Sequence, residues 1–146
     1  MTNCTIKFVR RCVENGHITE IPLVNLFKSY DGYPEGAGKD LAEWLLHKTL
    51  IDGIRIEHEV YGYANGDGCL VAQYIANNKY GLGGLYVTDM DDTDATYNYK
   101  VIIDETKDVP DEGIPANDVV TIEISDGDSF KFSGSPKELI ERMHVW

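Results

Sequence analysis

The sequence has few basic residues. Lys and Arg number 13 against 25 Asp and Glu, so the 146-residue chain carries a formal net charge of −12. Binding to a nucleic-acid backbone needs clustered Lys and Arg, so this deficit argues against direct contact with nucleic acid. The same negative charge argues against docking on an anionic membrane surface.

The sequence also has no long apolar run and few metal-ligating residues. No segment approaches the roughly 18 apolar residues of a membrane-spanning helix, and residues 1–5 lack the apolar core of a secretory signal. The three cysteines have no CxxC spacing and the four histidines are dispersed, so we expect no metal and no cofactor. We expect a cytoplasmic protein with reduced thiols and Cys69 in its core.

The negative charge is concentrated in the second part of the chain. Residues 1–87 hold 10 acids and 8 bases, whereas residues 88–146 hold 15 acids and 5 bases. The acidic part therefore favours encounters with positive surfaces. The near-neutral first part leaves room for a local anion site.

The fold class follows from length and from the order of the elements. A chain of this size is one ordinary domain, and its 42% hydrophobic residues are enough for a core. Consecutive strands joined by short turns predict antiparallel pairing. We therefore expect a single α+β domain over residues 1–146, with a twisted antiparallel sheet of about six strands and two to three helices packed on one face.

Local patterns place the elements. Strands are predicted over residues 5–10, 18–27, 83–88, 95–104, 119–125 and 129–132, with a short strand or irregular segment over 54–63. Helices are predicted over residues 39–50 and 69–78 and from Ser135 onward.

Turn and cap residues connect these elements. Asn15-Gly16 and Asp126-Gly127 are typical of tight hairpins, and residues 89–94 form an acidic turn between strands 83–88 and 95–104. Asp67 is predicted as the N-cap of the second helix. Ser135, with Pro136 and Glu138, predicts a capping box at the last helix.

The segment over residues 29–38 is a glycine-rich loop that feeds the first helix. A Walker loop is excluded because five residues separate Gly32 from Gly38 and Asp40 stands where its magnesium-binding hydroxyl belongs. Exposed amides at the helix N-terminus, together with Lys39, can still hold an anion. The alternative is a purely structural loop, since glycine and proline mostly shape the chain.

A second glycine-rich loop, residues 65–68, repeats this arrangement. Tyrosines at 61 and 63 precede it, and both loops lead into helices. If the two loops converge on one pocket, tyrosines would stack on a planar ligand and acids would accept its hydrogen bonds. The alternative is two independent turns. The candidate ligand-binding residues are Tyr30, Asp31, Tyr33, Glu35, Lys39, Tyr63, Asp67 and Gln73.

Other patterns carry less chemistry. Residues 89–94 do not continue as a calcium loop, because Asp94 and Lys100 replace the required glycine and glutamate. His58 lies between two glutamates, which favours its protonated form, but no nucleophile elbow accompanies it. We therefore assign no catalytic residue.

Two motifs resemble a family of small uncharacterised proteins of phages and bacteria. The segment YDGYPEGAGKDLAE from Tyr30 resembles their DGYP-x-G-x-GK-x-L loop, which follows an N-terminal hairpin. The segment NGDGCLVAQ from Asn65 and the later GGLY from Gly83 are also similar. The resemblance covers residues 5–88 and implies a viral or prophage setting and a cytoplasmic location. It implies no catalytic residue.

Three functions are compatible with these observations. The first is a non-enzymatic phage accessory protein that binds a host protein or sequesters a small, anionic, nucleotide-like host signal, an anti-defence role. The second is an acidic decoy of a basic nucleic-acid-binding host protein. The third is a small enzyme that uses Asp31, Glu35, His58 or Asp67. Val145 and Trp146, apolar residues at the end of the sequence, also suggest a homo-oligomer.

Overall fold

Nine strands and four α-helices make up the part of the chain that the structure, a computed structural model, describes: residues 2–55, 62–127 and 129–143. The strands are β1 (Cys4–Glu14), β2 (His17–Lys28), β3 (Thr49–Ile51), β4 (Tyr63–Asn65), β5 (Leu85–Thr88), β6 (Tyr97–Asp104), β7 (Ile114–Pro115), β8 (Val120–Asp126) and β9 (Ser129–Gly134). The helices are α1 (Lys39–Leu46), α2 (Gly66–Asn78), α3 (Ala116–Val119) and α4 (Pro136–Met143), and a π-helical turn at Pro34–Gly38 leads into α1.

Six strands form the main sheet, in the order β5-β2-β1-β6-β8-β9, and the other three form a small sheet, β4-β3-β7. The predicted α+β class with a six-stranded sheet is confirmed. Four neighbouring pairs of the main sheet are antiparallel, but β1 and β6 run parallel. The sheet is therefore mixed and not wholly antiparallel as expected, because the chain enters β6 at the end of the sheet where β1 begins.

The first hairpin is confirmed. Asn15 and Gly16 both have positive φ, 51° and 79°, as a tight turn between twisted strands requires. Pro22 lies opposite Val9, immediately after a register shift between β1 and β2. The bulge accommodates a residue that cannot donate a hydrogen bond to the ladder.

The helices cover one face of the main sheet, as predicted. Alternate residues of β1 point toward them, and Phe8 packs on Tyr74 of α2, with ring centroids 5.3 Å apart. Trp44 of α1 meets the same tyrosine edge-on at 5.3 Å. The core also contains Cys4, Ile6, Leu41, Leu45, Leu70, Val101, Ile103, Ile122 and Leu139.

The predicted hairpin between residues 83–88 and 95–104 is wrong. β5 pairs with β2, whereas β6 pairs with β1, so the acidic segment between them is a crossover connection. Asn25 of β2 donates from its Nδ2 atom to the carbonyls of Asp89 and Asp92, at 2.9 Å and 3.0 Å. Since Asn25 alternates with core-facing neighbours, the crossover lies on the sheet face opposite the helices.

Two helices differ from their predicted bounds. The helix predicted over residues 39–50 ends at Leu46, and Thr49–Ile51 form β3. Thr49 and Ile51 are β-branched, so their preference for a strand outweighs the helical spacing of the preceding leucines. The second helix begins at Gly66, and residues 105–117, which lie outside the predicted strands and helices, contain β7 and the start of α3.

The last hairpin and helix are confirmed. β8 and β9 pair antiparallel across the Asp126-Gly127 turn. The Ser135 amide donates to Glu138 Oε1 at 2.9 Å, and the Glu138 amide donates to Ser135 Oγ at 3.2 Å, which completes the capping box at α4. The predictions on most of segment 54–63, on Tyr61 and His58, and on Val145 and Trp146 lie outside the described residues.

The cysteines are free thiols. Cys4 is fully buried in the core, and burial raises the pKa of its thiol to about 12. Cys69, expected in the core, is partly buried and packs against it.

Candidate functional site

The glycine-rich turn, residues 29–38, is fixed to the first residues of the chain. The Gly32 amide donates to the Thr2 carbonyl at 2.9 Å, and Tyr99 Oη donates to the Gly32 carbonyl at 2.9 Å. A Cβ on Gly32 would lie 2.5 Å from the carbonyl carbon of Asn3. Two backbones therefore meet too closely here for any residue other than glycine.

Several amides of this turn are already bonded within it. The Gly36 amide donates to the Tyr33 carbonyl at 2.9 Å, and the Ala37 amide donates to the Asp31 carbonyl at 2.8 Å. The amide of Lys39 donates to the Gly36 carbonyl. An anion cradle at a helix N-terminus needs free amides, so these three do not supply one.

The tyrosines of the turn have separate contacts. Tyr30 lies under Lys28, whose Nζ is 4.7 Å from the ring centroid. A Cβ on Gly84 would stand 3.1 Å from the same ring, so the ring packs against the segment before β5. Tyr33 Oη donates to Asp31 Oδ1 at 3.5 Å. Tyr30 therefore faces β5, whereas Tyr33 and Asp31 stay together in the turn.

Glu35 lines a surface cavity of about 270 Å³, which we call the turn cavity. Its other walls are Pro34, Tyr97 at the start of β6, Lys131 of β9 and Arg142 in the last turn of α4. The π-helical turn positions Glu35, and the other walls come from three different elements. The cavity thus joins the glycine-rich turn to the acidic second part of the chain.

Lys39 does not line the turn cavity. Its Nζ lies 3.8 Å from Glu43 Oε1, an exposed pair at one helical turn's spacing on α1. The sequence did not predict Tyr97, Lys131 or Arg142 as site residues, since they are distant from the turn along the chain. The feature of the sequence that could have pointed to Lys131 and Arg142 is that they are two of only five basic residues among residues 88–146.

Asp67 is held by a long-range ion pair. Arg10 Nε lies 2.6 Å from Asp67 Oδ2 and Arg10 Nη2 lies 2.9 Å from Oδ1. The predicted N-cap role of Asp67 is wrong: Asn65 precedes the helix and Asp67 lies in its first turn. The carboxylate turns instead to β1, where a guanidinium satisfies both of its oxygens.

Tyr63 and Gln73 have structural bonds. Gln73 Nε2 donates to the Tyr63 carbonyl at 3.0 Å, which ties α2 to β4. Lys48 Nζ donates to Gln73 Oε1 at 3.2 Å and lies 4.8 Å from the ring centroid of Trp44. Burial lowers the pKa of Lys48. The amide of Gln73 is therefore engaged on both ends.

The two glycine-rich loops are anchored at different points of β1, one at its first residues and the other past its middle. Gly32 meets the backbone of Asn3 and Cys4, whereas Asp67 binds Arg10. Arg10 lies six positions after Cys4 in the strand, a span of about 20 Å at roughly 3.3 Å per residue. Among the described residues, the turn brings Tyr33 and Asp31 together and places Glu35 on the turn cavity, while Asp67 belongs to a different site.

That second site is a polar cavity of about 300 Å³ beside Asp67, which we call the acid cavity. Glu105, immediately after β6, lies on its wall and next to Asp67. Its walls also include Asp52, Asn65, Gly66, Asp104, Lys107 and Asp108.

Asp67 and Glu105 differ in their acidity. Burial opposes ionisation of Asp67, but the hydrogen bonds and charge of Arg10 outweigh it and lower the pKa of Asp67. Burial, followed by the negative charge of Asp67, raises the pKa of Glu105. Asp67 thus ionises readily, whereas Glu105 keeps its proton to higher pH. General acid–base catalysis uses such pairs of carboxyl groups with different pKa values.

Within residues 2–55, 62–127 and 129–143, no group of three or more His, Cys, Asp or Glu side chains is placed to hold a metal ion. In the same residues, no helix combines the length and apolar character needed to span a membrane.

Comparison with protein-family models, with curated proteins and with solved structures gave no match for this chain. The two cavities and their charges are therefore the observations that bear on function.

Proposed function

We propose that the chain is a non-enzymatic binding protein that holds a small, anionic, nucleotide-like ligand in the turn cavity. The observation that carries the proposal is the meeting of Lys131 and Arg142 with Glu35 and Tyr97 around one cavity. Two cations can hold a phosphate, and a tyrosine ring can stack on a planar ring. The carboxylate can accept hydrogen bonds from the same ligand.

Local charge matters more here than the net charge of −12. At physiological ionic strength exposed charges are screened beyond about 8 Å, so the distant acids do little to an anion in the cavity. Lys131 forms an ion pair with Asp126, whose Oδ2 lies 3.4 Å from Nζ. We assign the anchoring role to Arg142, because a guanidinium can hold phosphate through two parallel hydrogen bonds whereas an ammonium acts as a point charge.

The size of the turn cavity limits the ligand. Its volume of about 270 Å³ is just below the roughly 300–1,000 Å³ of small-molecule sites. A ligand the size of one nucleotide is therefore the largest that fits inside it.

The resemblance to phage and bacterial proteins adds a biological setting, phage infection, to the proposal. In that setting the chain is a phage-encoded accessory protein in the bacterial cytoplasm, and it sequesters a small host-made signal. The turn that carries the resemblance also supplies Glu35 to the cavity, which links the motif to the proposed binding.

Isothermal titration calorimetry tests the proposal with inorganic phosphate, nucleoside monophosphates and cyclic mononucleotides as probes. We expect one class to bind, and Arg142→Ala and Lys131→Ala each to weaken its binding by about tenfold or more, since each removes a charge-assisted hydrogen bond.

The matched control is Lys137→Ala, which removes an exposed lysine of the same helix that pairs with Glu141 at 3.9 Å. Its affinity should equal that of the wild type. Absence of heat with every probe, or equal losses in the control and in Arg142→Ala, contradicts the proposal.

A second candidate function is an acidic decoy of a basic host protein. It is favoured by the exposure of Asp89, Asp91 and Asp94 on the crossover, and of Asp108 and Glu112 in the loop after β6. The negative electrostatic field of these acids steers the chain to positively charged surfaces. Pull-down from a bacterial lysate should then recover a basic protein that high salt releases; recovery of the same proteins by Asp89→Asn/Asp91→Asn/Asp94→Asn argues against the decoy.

A further inference from the structure

Among the residues that the structure describes, β5 forms one edge of the main sheet, and the apolar side chains beside it are exposed. Val87 is 71% exposed, and Leu82, in the segment before the strand, is 99% exposed. Tyr80 and Tyr86 are also exposed. Edge strands with apolar, uncharged surface are templates for pairing with another strand.

The backbone of β5 has hydrogen-bonding groups that point away from β2. The Ser29 amide donates to the Gly84 carbonyl, so by antiparallel alternation Tyr86 and Thr88 bond toward β2. Leu85 and Val87 therefore point their amides and carbonyls outward. Lys79 Nζ reaches the Leu85 carbonyl from that side, at 2.8 Å.

The two ends of β5 carry opposite charges. Lys79 lies at the first end, where its Nζ also bonds the Gly83 carbonyl at 3.2 Å. Asp89 and Asp91, both exposed, follow the last residue of the strand. An antiparallel pair of two such strands places the lysine end of each beside the aspartate end of the other.

We propose that β5 pairs antiparallel with β5 of a second copy of this chain, with Tyr86 on the two-fold axis. Leu85 of one copy then exchanges hydrogen bonds with Val87 of the other, for which Lys79 Nζ leaves the Leu85 carbonyl that it bonds within its own chain. Lys79 faces Asp89 of the second copy. The two tyrosine rings at position 86 become cross-strand neighbours.

The same pairing brings apolar ends together. Leu82 lies at the lysine end and Met90, which is also exposed, at the aspartate end. Each leucine therefore approaches the methionine of the second copy, which removes both from water. The two six-stranded sheets become one continuous sheet, and neither cavity is part of the contact.

Sedimentation equilibrium from low micromolar to millimolar protein concentration measures the association. We expect the wild type to pass from monomer to dimer. Val87→Pro should stay monomeric, because proline lacks the amide N–H that points outward at this position. The hydrogen bonds between β5 and β2 do not involve that amide, so the substitution leaves them intact. The matched control Val87→Thr keeps the amide and should dimerise like the wild type.

A charge-reversal series tests the pairing without depending on proline. Lys79→Glu and Asp89→Lys should each weaken dimerisation by at least tenfold, and the double variant should restore it. Hydrogen exchange should show protection of the Leu85 amide that increases with protein concentration. A monomer at every concentration, a dimer unaffected by Val87→Pro, or protection confined to β9 overturns the proposal.

Discussion

Arg10 and Asp67 form a two-bond ion pair that joins β1 to the first turn of α2, at 2.6 Å and 2.9 Å. The carboxylate is buried, whereas the arginine side chain is 39% exposed. The pair therefore behaves as a partly buried one, in which loss of one partner costs more than loss of a surface pair.

Asp67→Asn should lower the free energy of unfolding by about 1–2 kcal/mol, because Arg10 loses its charged partner and remains partly desolvated. Urea denaturation measures this. Glu43→Gln, which breaks the exposed pair with Lys39, is the control and should change stability by less than about 0.5 kcal/mol. Equal changes in the free energy of unfolding would show that the Arg10–Asp67 pair stabilises the fold no more than an exposed pair does.

Glu105 gives the stability a pH dependence of defined sign. Its pKa is raised above the ordinary 4.5 by burial and by Asp67, so the folded chain binds this proton more tightly than the unfolded chain. Ionising Glu105 as the pH rises therefore costs stability. Glu105→Gln does not ionise, so relative to the wild type its stability should be greater at pH about 7 than at pH about 4.

The measurement is urea denaturation of Glu105→Gln and wild type at both pH values. Glu112→Gln, an exposed acid in the following loop, is the control and should show no such trend. If the difference between Glu105→Gln and wild type stays constant with pH, the raised pKa is not present in the folded protein.

Two glycine-to-alanine changes should act in opposite directions. Gly32→Ala places a Cβ against the backbone of Asn3 and should destabilise the fold by about 1–3 kcal/mol, as overpacking does. Gly68 lies in α2, and a Cβ there would meet no neighbouring atom within 4 Å, so Gly68→Ala should stabilise by up to about 1 kcal/mol. Thermal unfolding of both variants measures whether Gly32→Ala lowers the stability and Gly68→Ala raises it.

Asn25 holds the acidic crossover on the sheet. Asn25→Ala removes both bonds to the carbonyls of Asp89 and Asp92, and should cost about 1–3 kcal/mol because Asn25 is buried. Limited proteolysis should then cut within residues 89–94 faster than in the wild type. Asn78→Ala, which removes one bond to the Tyr74 carbonyl, should leave cleavage in that segment unchanged.

Local signals in the sequence predicted local structure. Asn15-Gly16 encodes a turn whose positive φ values need those residues, and Ser135 with Glu138 encodes a helix start through bonds three residues apart. Both predictions hold because all the atoms involved lie within a few residues of each other.

Pairing across the chain was not predictable in this way. The order of the strands in the chain favoured pairing of β5 with β6, the next strand. No residue of either strand specifies its partner strand, and β5 pairs with β2 instead. Asp67 suits an N-cap by local chemistry, yet its carboxylate binds Arg10, 57 residues earlier in the chain. Of the eight candidate site residues, Glu35 lines the turn cavity, whose cations come from β9 and α4.

The parallel pairing of β1 with β6 also constrains how the chain is made. Thr5 and Asn98 touch across this pair, 93 residues apart in the chain. On the ribosome the first hairpin therefore emerges long before its central neighbour exists, with one apolar face uncovered. Such long-range closure slows folding and leaves the nascent hairpin open to aggregation, so its completion depends on synthesis reaching β6.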